Sequence, residues 1–172
     1  DKETASDNTG SGKGVSENTG KSGARGDVQK QMVVERYLSV SYPLPRIKVT
    51  SPYGYRKDPF TGKRKFHGGI DLQAMMAGTV VKVGQDKTSG KYVTLQHGNC
   101  MISYCHLSKI LVARGTAVRP RDAVGITGST GRSTGEHLHI TCRLNGKSVD
   151  PAILFEHVRR VQQECVSALA EL

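Results

Sequence analysis

The chain has no tryptophan, and aromatic residues make up only 5% of its 172 positions. Single-stranded nucleic acid is read on aromatic platforms, and duplexes on basic recognition helices. Neither pattern is present, so the sequence gives no support to a nucleic-acid partner. No run of about 18 apolar residues occurs, which excludes a membrane-crossing helix. The four cysteines, Cys100, Cys105, Cys142 and Cys165, contain no Cys-x-x-Cys pair. An even count permits disulfides outside the cytosol, but small buried hydrophobes on strands and a helix are the better reading. Cys105 adjoins His106 and by alternation points to the opposite strand face, which argues against a metal role. The opening D-K-E-T-A-S-D-N-T-G carries no leader pattern and reads as a mature or trimmed product.

What is abundant is glycine, at 20 residues, together with a net charge of +10. Glycine-rich turns between short β-branched runs predict a mainly β fold. Residues 1–30 hold five basic and five acidic side chains, so the whole excess lies downstream. A basic domain suits an anionic polymer or surface, and composition does not choose among them.

Residues 1–26 repeat S-D-N-T-G and S-E-N-T-G and are expected to be a disordered linker, since they bury too little apolar surface to offset ordering. Within them G-V-S-E-N-T-G-K-S imitates a phosphate-binding loop. Val15 stands where the first glycine belongs and no strand precedes it, so that reading fails. Residues 27–46 predict a short helix, Asp27 to Leu38, and a lead-in stopped by Pro43 and Pro45. Strands are expected at Ile47–Thr50, Gly78–Gly84, Lys91–His97, Met101–His106, Ile110–Val112, Ala123–Thr127 and His137–Arg143. Hairpin turns are expected at Thr88-Ser89-Gly90, Gly98-Asn99 and Asn145-Gly146. Asp150-Pro151 opens a terminal helix, assigned to residues 156–172, whose apolar face is Ile153, Leu154, Val158, Val161 and Cys165.

Chemistry concentrates in F-H-G-G-I-D (Phe66 to Asp71) and G-E-H-L-H-I (Gly135 to Ile140). Imidazoles and a carboxylate drawn from His67, Asp71, His137 and His139 make a set that zinc accepts, with a fourth position open for water. His137 and His139, two apart on a strand, face one side, while Gly68 and Gly69 let the chain turn tightly. In I-S-Y-C-H-L-S, alternation puts Ile102, Tyr104 and His106 on one face. A hydrolase needs a proton acceptor and an oxyanion donor beside the metal, and His106 with one histidine of the pair can supply both. His97, at a strand end before a turn, and His157 read as structural or surface residues.

The segments S-P-Y-G-Y-R-K-D-P-F-T-G-K-R-K-F-H-G-G-I-D-L, V-T-L-Q-H-G-N, I-S-Y-C-H-L-S and V-G-I-T-G-S-T-G-R-S-T-G-E-H-L-H resemble the lysostaphin/LytM-type zinc metalloendopeptidases over residues 47–155. The resemblance implies a compact antiparallel β sandwich or roll with a groove, flanked by a short N-terminal helix and a C-terminal helix. It implies a peptidoglycan peptide substrate, an extracytoplasmic site of action with any signal or anchor outside this chain, and Zn2+ bound by His67, Asp71 and His139. His106 and His137 would be the catalytic histidines. Arg56 is a candidate to pair with a stem-peptide carboxylate, with a surface turn arginine as the alternative. A non-catalytic scaffold that binds cell wall or activates a separate amidase is the competing function, and a place in envelope or conjugation machinery would keep the chemistry. One departure stands out. Members usually carry a short strand between the Asp ligand and the following G-T-V-V strand, whereas here D-L-Q-A runs straight into M-M-A-G-T-V-V.

Overall fold

The computed structural model describes residues 16–45, 69–131 and 138–172, with side chains from residue 23 onward. The expected strand at residues 47–50 therefore lies outside the described residues, as do His67, His137 and Arg56. The described chain runs α1 (Ser16–Leu38), β1 (Asp71–Gln73), β2 (Gly78–Asp86), β3 (Gly90–His97), β4 (Cys100–Ile110), β5 (Ala117–Val118), β6 (Ala123–Thr127), β7 (His139–Leu144), β8 (Lys147–Val149) and α2 (Ala152–Glu171).

All strand pairs are antiparallel, in the order β1-β6-β4-β3-β2-β5, with β7 on β4 and β8 on β7. The mainly β, antiparallel fold expected from the sequence is the fold observed. Strand β4 is its spine. One edge of β4 pairs with β3; the other pairs with β7 over Cys100–Cys105 and with β6 over Leu107–Ile110. The curled sheet encloses Leu72, Val80, Val93, Leu95, Ile102, Tyr104, Leu107 and Val124, each at most 1% exposed. Burying an aliphatic side chain of this size stabilises by about 1.5–3 kcal/mol before entropy is charged against it.

Helix α2 closes the core through Leu154, Val158, Val161 and Cys165, spaced as one stripe. Ile153, expected on that stripe, is 46% exposed instead, because it is one step off the line of the other four. The helix starts at Ala152 rather than residue 156: the Asp150 carboxylate accepts the Ala152 N–H at 2.9 Å and satisfies an otherwise orphaned donor. Helix α1 begins at Ser16, inside the stretch read as linker, so the expected start at Asp27 is corrected. Once the segment carrying Val33 and Tyr37 is held against the core, each further residue adds one backbone bond to an existing helix. Gly23 and Gly26 face open space there, so packing does not support that end.

Where the short strand after Asp71 is lacking, backbone partners come from elsewhere. Gln73 N–H donates to Pro43 O, Ser41 N–H to Met75 O, Ala74 N–H to Asp122 O and Arg121 N–H to Ala74 O. The lead-in behind α1 and the turn before β6 thus occupy the ladder positions along residues 73–75. Arg121 fastens the lead-in further, its guanidinium donating to Leu38 O at 2.9 Å and Val40 O at 3.2 Å.

Candidate functional site

Strand register and burial sort the histidines by face. Directly opposed residues of an antiparallel pair share a face. Tyr104 opposes Ile140 and Ile102 opposes Cys142; Tyr104, Ile102 and Cys142 are buried, so this is the core face. Cys105 opposes His139, and His139, Thr141 and Arg143 are exposed, so these lie on the outer face. Strict alternation along β4 would then turn His106 into the core beside Tyr104, away from His139.

The strand does not alternate there. Lys91 on β3 pairs with Leu107 and Val93 with Tyr104, so three steps on β4 match two on β3. This one-residue β-bulge falls at Cys105–His106, and His106 takes a left-handed backbone with φ of 62°. Leu107 resumes the core face, fully buried. The bulge thereby re-aims His106, and its ring centroid lies 5.9 Å from that of His139, tilted by 54°. The shared face expected for Ile102, Tyr104 and His106 is corrected, because the bulge breaks the period after Tyr104. The opposite faces expected for Cys105 and His106 are corrected for the same reason. Burial pushes the Cys105 thiol up, and it hydrogen-bonds to Ser89.

A left-handed non-glycine residue costs about 1 kcal/mol or more, so its surroundings must hold it. They do so from two loops. His106 N–H donates to Ser89 O at 2.7 Å, and His106 Nδ1 donates to Thr130 O at 2.7 Å. Thr130 is itself anchored, its Oγ1 accepting the Lys91 N–H at 2.9 Å and donating to Leu107 O at 2.5 Å. Gly90 and Gly131, both at positive φ, permit this crossing: a Cβ on Gly90 would lie 2.3 Å from the Thr130 carbonyl. Since Nδ1 faces a carbonyl, it carries the proton in the neutral ring, and Nε2 is the accepting nitrogen.

Asp71 begins β1, exposed, with Leu72 beside it in the core. It opposes Ile126 of β6, which opposes exposed Lys109 of β4, and this places Asp71 on the outer face that carries His139. The pairing runs back past Asp71 through Ile70 N–H to Thr127 Oγ1 and Thr127 N–H to Ile70 O, both at 2.9 Å. Gly69 fits only because it lacks a side chain, a Cβ there falling 2.3 Å from Ile126. The described residues do not by themselves assemble three metal donors; His67 and His137 lie beyond them. Nothing in the sequence marks Thr130, Ser89 or Lys91 as holding His106. Only the turn at Thr88-Ser89-Gly90 is legible there, and its contact with Thr130 spans about forty residues.

His97 stands apart, as its sequence context indicated. It is 7% exposed at the end of β3, and its Nδ1 donates to Ala77 O at 2.9 Å.

Residues 65–151 match the model of peptidase family M23. Over 122 residues the chain is 39% identical to an uncharacterized metalloprotease of Haemophilus influenzae, covering 64% of this chain and 26% of that protein. Over 121 residues it is 37% identical to the peptidoglycan DD-endopeptidase ShyA of Vibrio cholerae, covering 63% and 28%. The chain thus spans about a quarter of the length of these curated relatives. Among solved structures, a zinc containing peptidase from Vibrio cholerae is 31% identical with a TM-score of 0.51, covering 63% of this chain and 37% of that one. The catalytic domain of the prophage-encoded M23 protein EnpA from Enterococcus faecalis, crystallised as a point mutant, is 30% identical with a TM-score of 0.50, covering 67% and 95%. The family match covers half of this chain and all of its described sheet, and the chain belongs to peptidase family M23.

Proposed function

We propose that this chain is a zinc-dependent peptidase that hydrolyses peptide bonds in peptidoglycan stem peptides or cross-links, acting outside the cytoplasm. The observation that carries the reading is the β-bulge at Cys105–His106, which turns a histidine out of the core to meet His139 at a cost in backbone strain. A sheet built for packing alone has no use for that cost. Exposed Asp71 and His139, with His67 next to Gly68-Gly69, offer the one-carboxylate, two-imidazole set that suits zinc. Zinc held by His67, Asp71 and His139 would supply a Lewis acid for the scissile carbonyl and lower the pKa of the attacking water.

The chain's own groups complete the chemistry. His106, with Nδ1–H committed to Thr130 O, accepts the water's proton at Nε2. His137 donates to the developing oxyanion and then helps protonate the leaving amine. Arg56 pairs with a stem-peptide carboxylate, and the chain's net charge of +10 draws an anionic polymer through a salt-sensitive attraction. Residues 47–155 form the peptidase unit in this reading, and its placement in envelope or conjugation machinery is compatible with the same chemistry.

The test pairs zinc analysis with digestion of purified cross-linked sacculi. His139→Ala is expected to lose zinc and activity, whereas His106→Ala keeps zinc and loses turnover. Zinc-free wild-type protein, or cleavage indifferent to both substitutions, would leave the non-catalytic wall-binding scaffold as the better account.

A further inference from the structure

On the core face of β4 and β7, away from the histidines, two sulfurs meet. Cys100 opposes Leu144 and Ile102 opposes Cys142, so the two cysteines are diagonal neighbours on one face. Their Sγ atoms are 3.6 Å apart. Cys142 is 1% exposed, and Cys100 is half-buried at the edge of the same cluster. A disulfide needs about 2.05 Å between sulfurs. Closing the bond therefore takes side-chain rotation together with a small approach of the two strands at these diagonal positions. The other two cysteines are placed differently: Cys105 lies on the outer face with Ser89, and Cys165 lies on α2.

We propose that Cys100 and Cys142 are a disulfide-forming pair that clasps β7 to β4 when the protein meets an external disulfide, such as a small-molecule disulfide or an oxidised thiol oxidoreductase. The half-buried Cys100 thiolate attacks the external disulfide, forming a mixed disulfide and releasing one thiolate. Cys142, as its thiolate, then attacks the Cys100 sulfur, closing the protein bond and releasing the second thiolate. The two protons lost by the cysteines end on the two released thiols. Two protein thiols are oxidised and one external disulfide is reduced. Burial and the neighbouring Cys100 hold the Cys142 thiol up at about 12, so closure is the slower step and quickens as pH rises. Cys142 lies three residues along β7 from His139, so the bond fixes the strand without altering the outer face. The extracytoplasmic reading bears only on where an oxidant would be met.

The test uses the whole chain, reduced and then equilibrated with oxidised glutathione. Thiols are counted in denaturant, linked peptides are mapped by mass, and thermal unfolding is followed. The expected result is a fall from four thiols to two, one cross-linked peptide pair joining Cys100 and Cys142, and a rise in Tm of about 5–10 °C that reductant reverses. Cys100→Ser and Cys142→Ser should each abolish both changes, and Cys165→Ser neither. Four remaining thiols, a stable glutathione adduct on Cys100 without closure, or a link to Cys105 or Cys165 would overturn the proposal. The thiol count on wild-type protein decides this even where a serine variant misfolds. It uses no wall substrate, so failure of the peptidase reading shows up separately, in the sacculus assay.

Discussion

The carbonyl oxygen of Thr130 accepts the Nδ1–H of His106 at 2.7 Å, and this contact fixes the tautomer of the imidazole at the centre of the candidate site. Thr130 follows β6 in the chain, so this contact ties β4 to the segment that leaves β6. Thr130→Val keeps the carbonyl and removes the hydroxyl that bonds the Lys91 N–H and Leu107 O. Stability should fall by about 1–2 kcal/mol in urea titrations. In the proposed peptidase assay kcat should fall more than KM rises. Unchanged stability together with unchanged kcat would show that the hydroxyl does not position this loop.

His97 predicts an acid limb. Burial lowers its pKa, opposed by the hydrogen bond to Ala77 O, and its buried Nε2 has no hydrogen-bond partner among the described residues. The folded state therefore favours the neutral ring, and the unfolded chain takes up the proton first. That contribution to stability is complete above the ordinary imidazole value of about 6.5 and is lost as pH falls toward the lower folded value. His97→Asn retains a donor for Ala77 O and cannot titrate. Urea midpoints measured from pH 8 to pH 5 should decline less steeply in the variant, and equal slopes would remove His97 from the account.

Arg121 joins elements more than eighty residues apart, holding Leu38 O and Val40 O from a backbone at φ of 73°. Arg121→Ala loses both bonds and keeps the left-handed strain, whereas Arg121→Gly loses the bonds and relieves it. Both should unfold more easily than wild type, the alanine variant by about 1 kcal/mol more than the glycine variant. Cleavage by protease between α1 and β1 should quicken in each. If alanine and glycine behave alike, the strain is not real in solution.

Tyr104 offers the reverse case. Its side chain is fully buried, and the hydroxyl has no hydrogen-bond partner among the described residues. Tyr104→Phe removes an unsatisfied polar atom while preserving the ring's packing. It should raise stability by about 1 kcal/mol, read as a higher urea midpoint at constant m-value. A loss would mean that the hydroxyl is partnered.

What could be read from sequence followed local periodicity. The β3 and β6 runs, the turns before β3 and after β7, and the α2 stripe of Leu154, Val158, Val161 and Cys165 all carry their signal within a few residues. The strands β1 and β5, three and two residues long, are too short to show a period. The bulge at Cys105–His106 was beyond reach, since an extra residue on β4 is defined only by counting against β3. His106 is nevertheless legible, because its residue type and neighbours mark it whichever way the strand turns. Its route to the outer face, and the roles of Thr130 and Arg121, depend on contacts between distant segments.

The bulge also governs which changes β4 can accept. Its first half, Cys100 to Tyr104, and its last, from Leu107, keep the core in opposite phases of the count, and only the extra residue reconciles them. Exchanging one side chain for another leaves that count intact. Deleting a single residue between Tyr104 and Leu107 would restore strict alternation against β3 and remove the left-handed backbone from which His106 now reaches Thr130 O. In this stretch the number of residues sets the angle at which the imidazole is presented, so an insertion or deletion is felt more than an exchange of side chains.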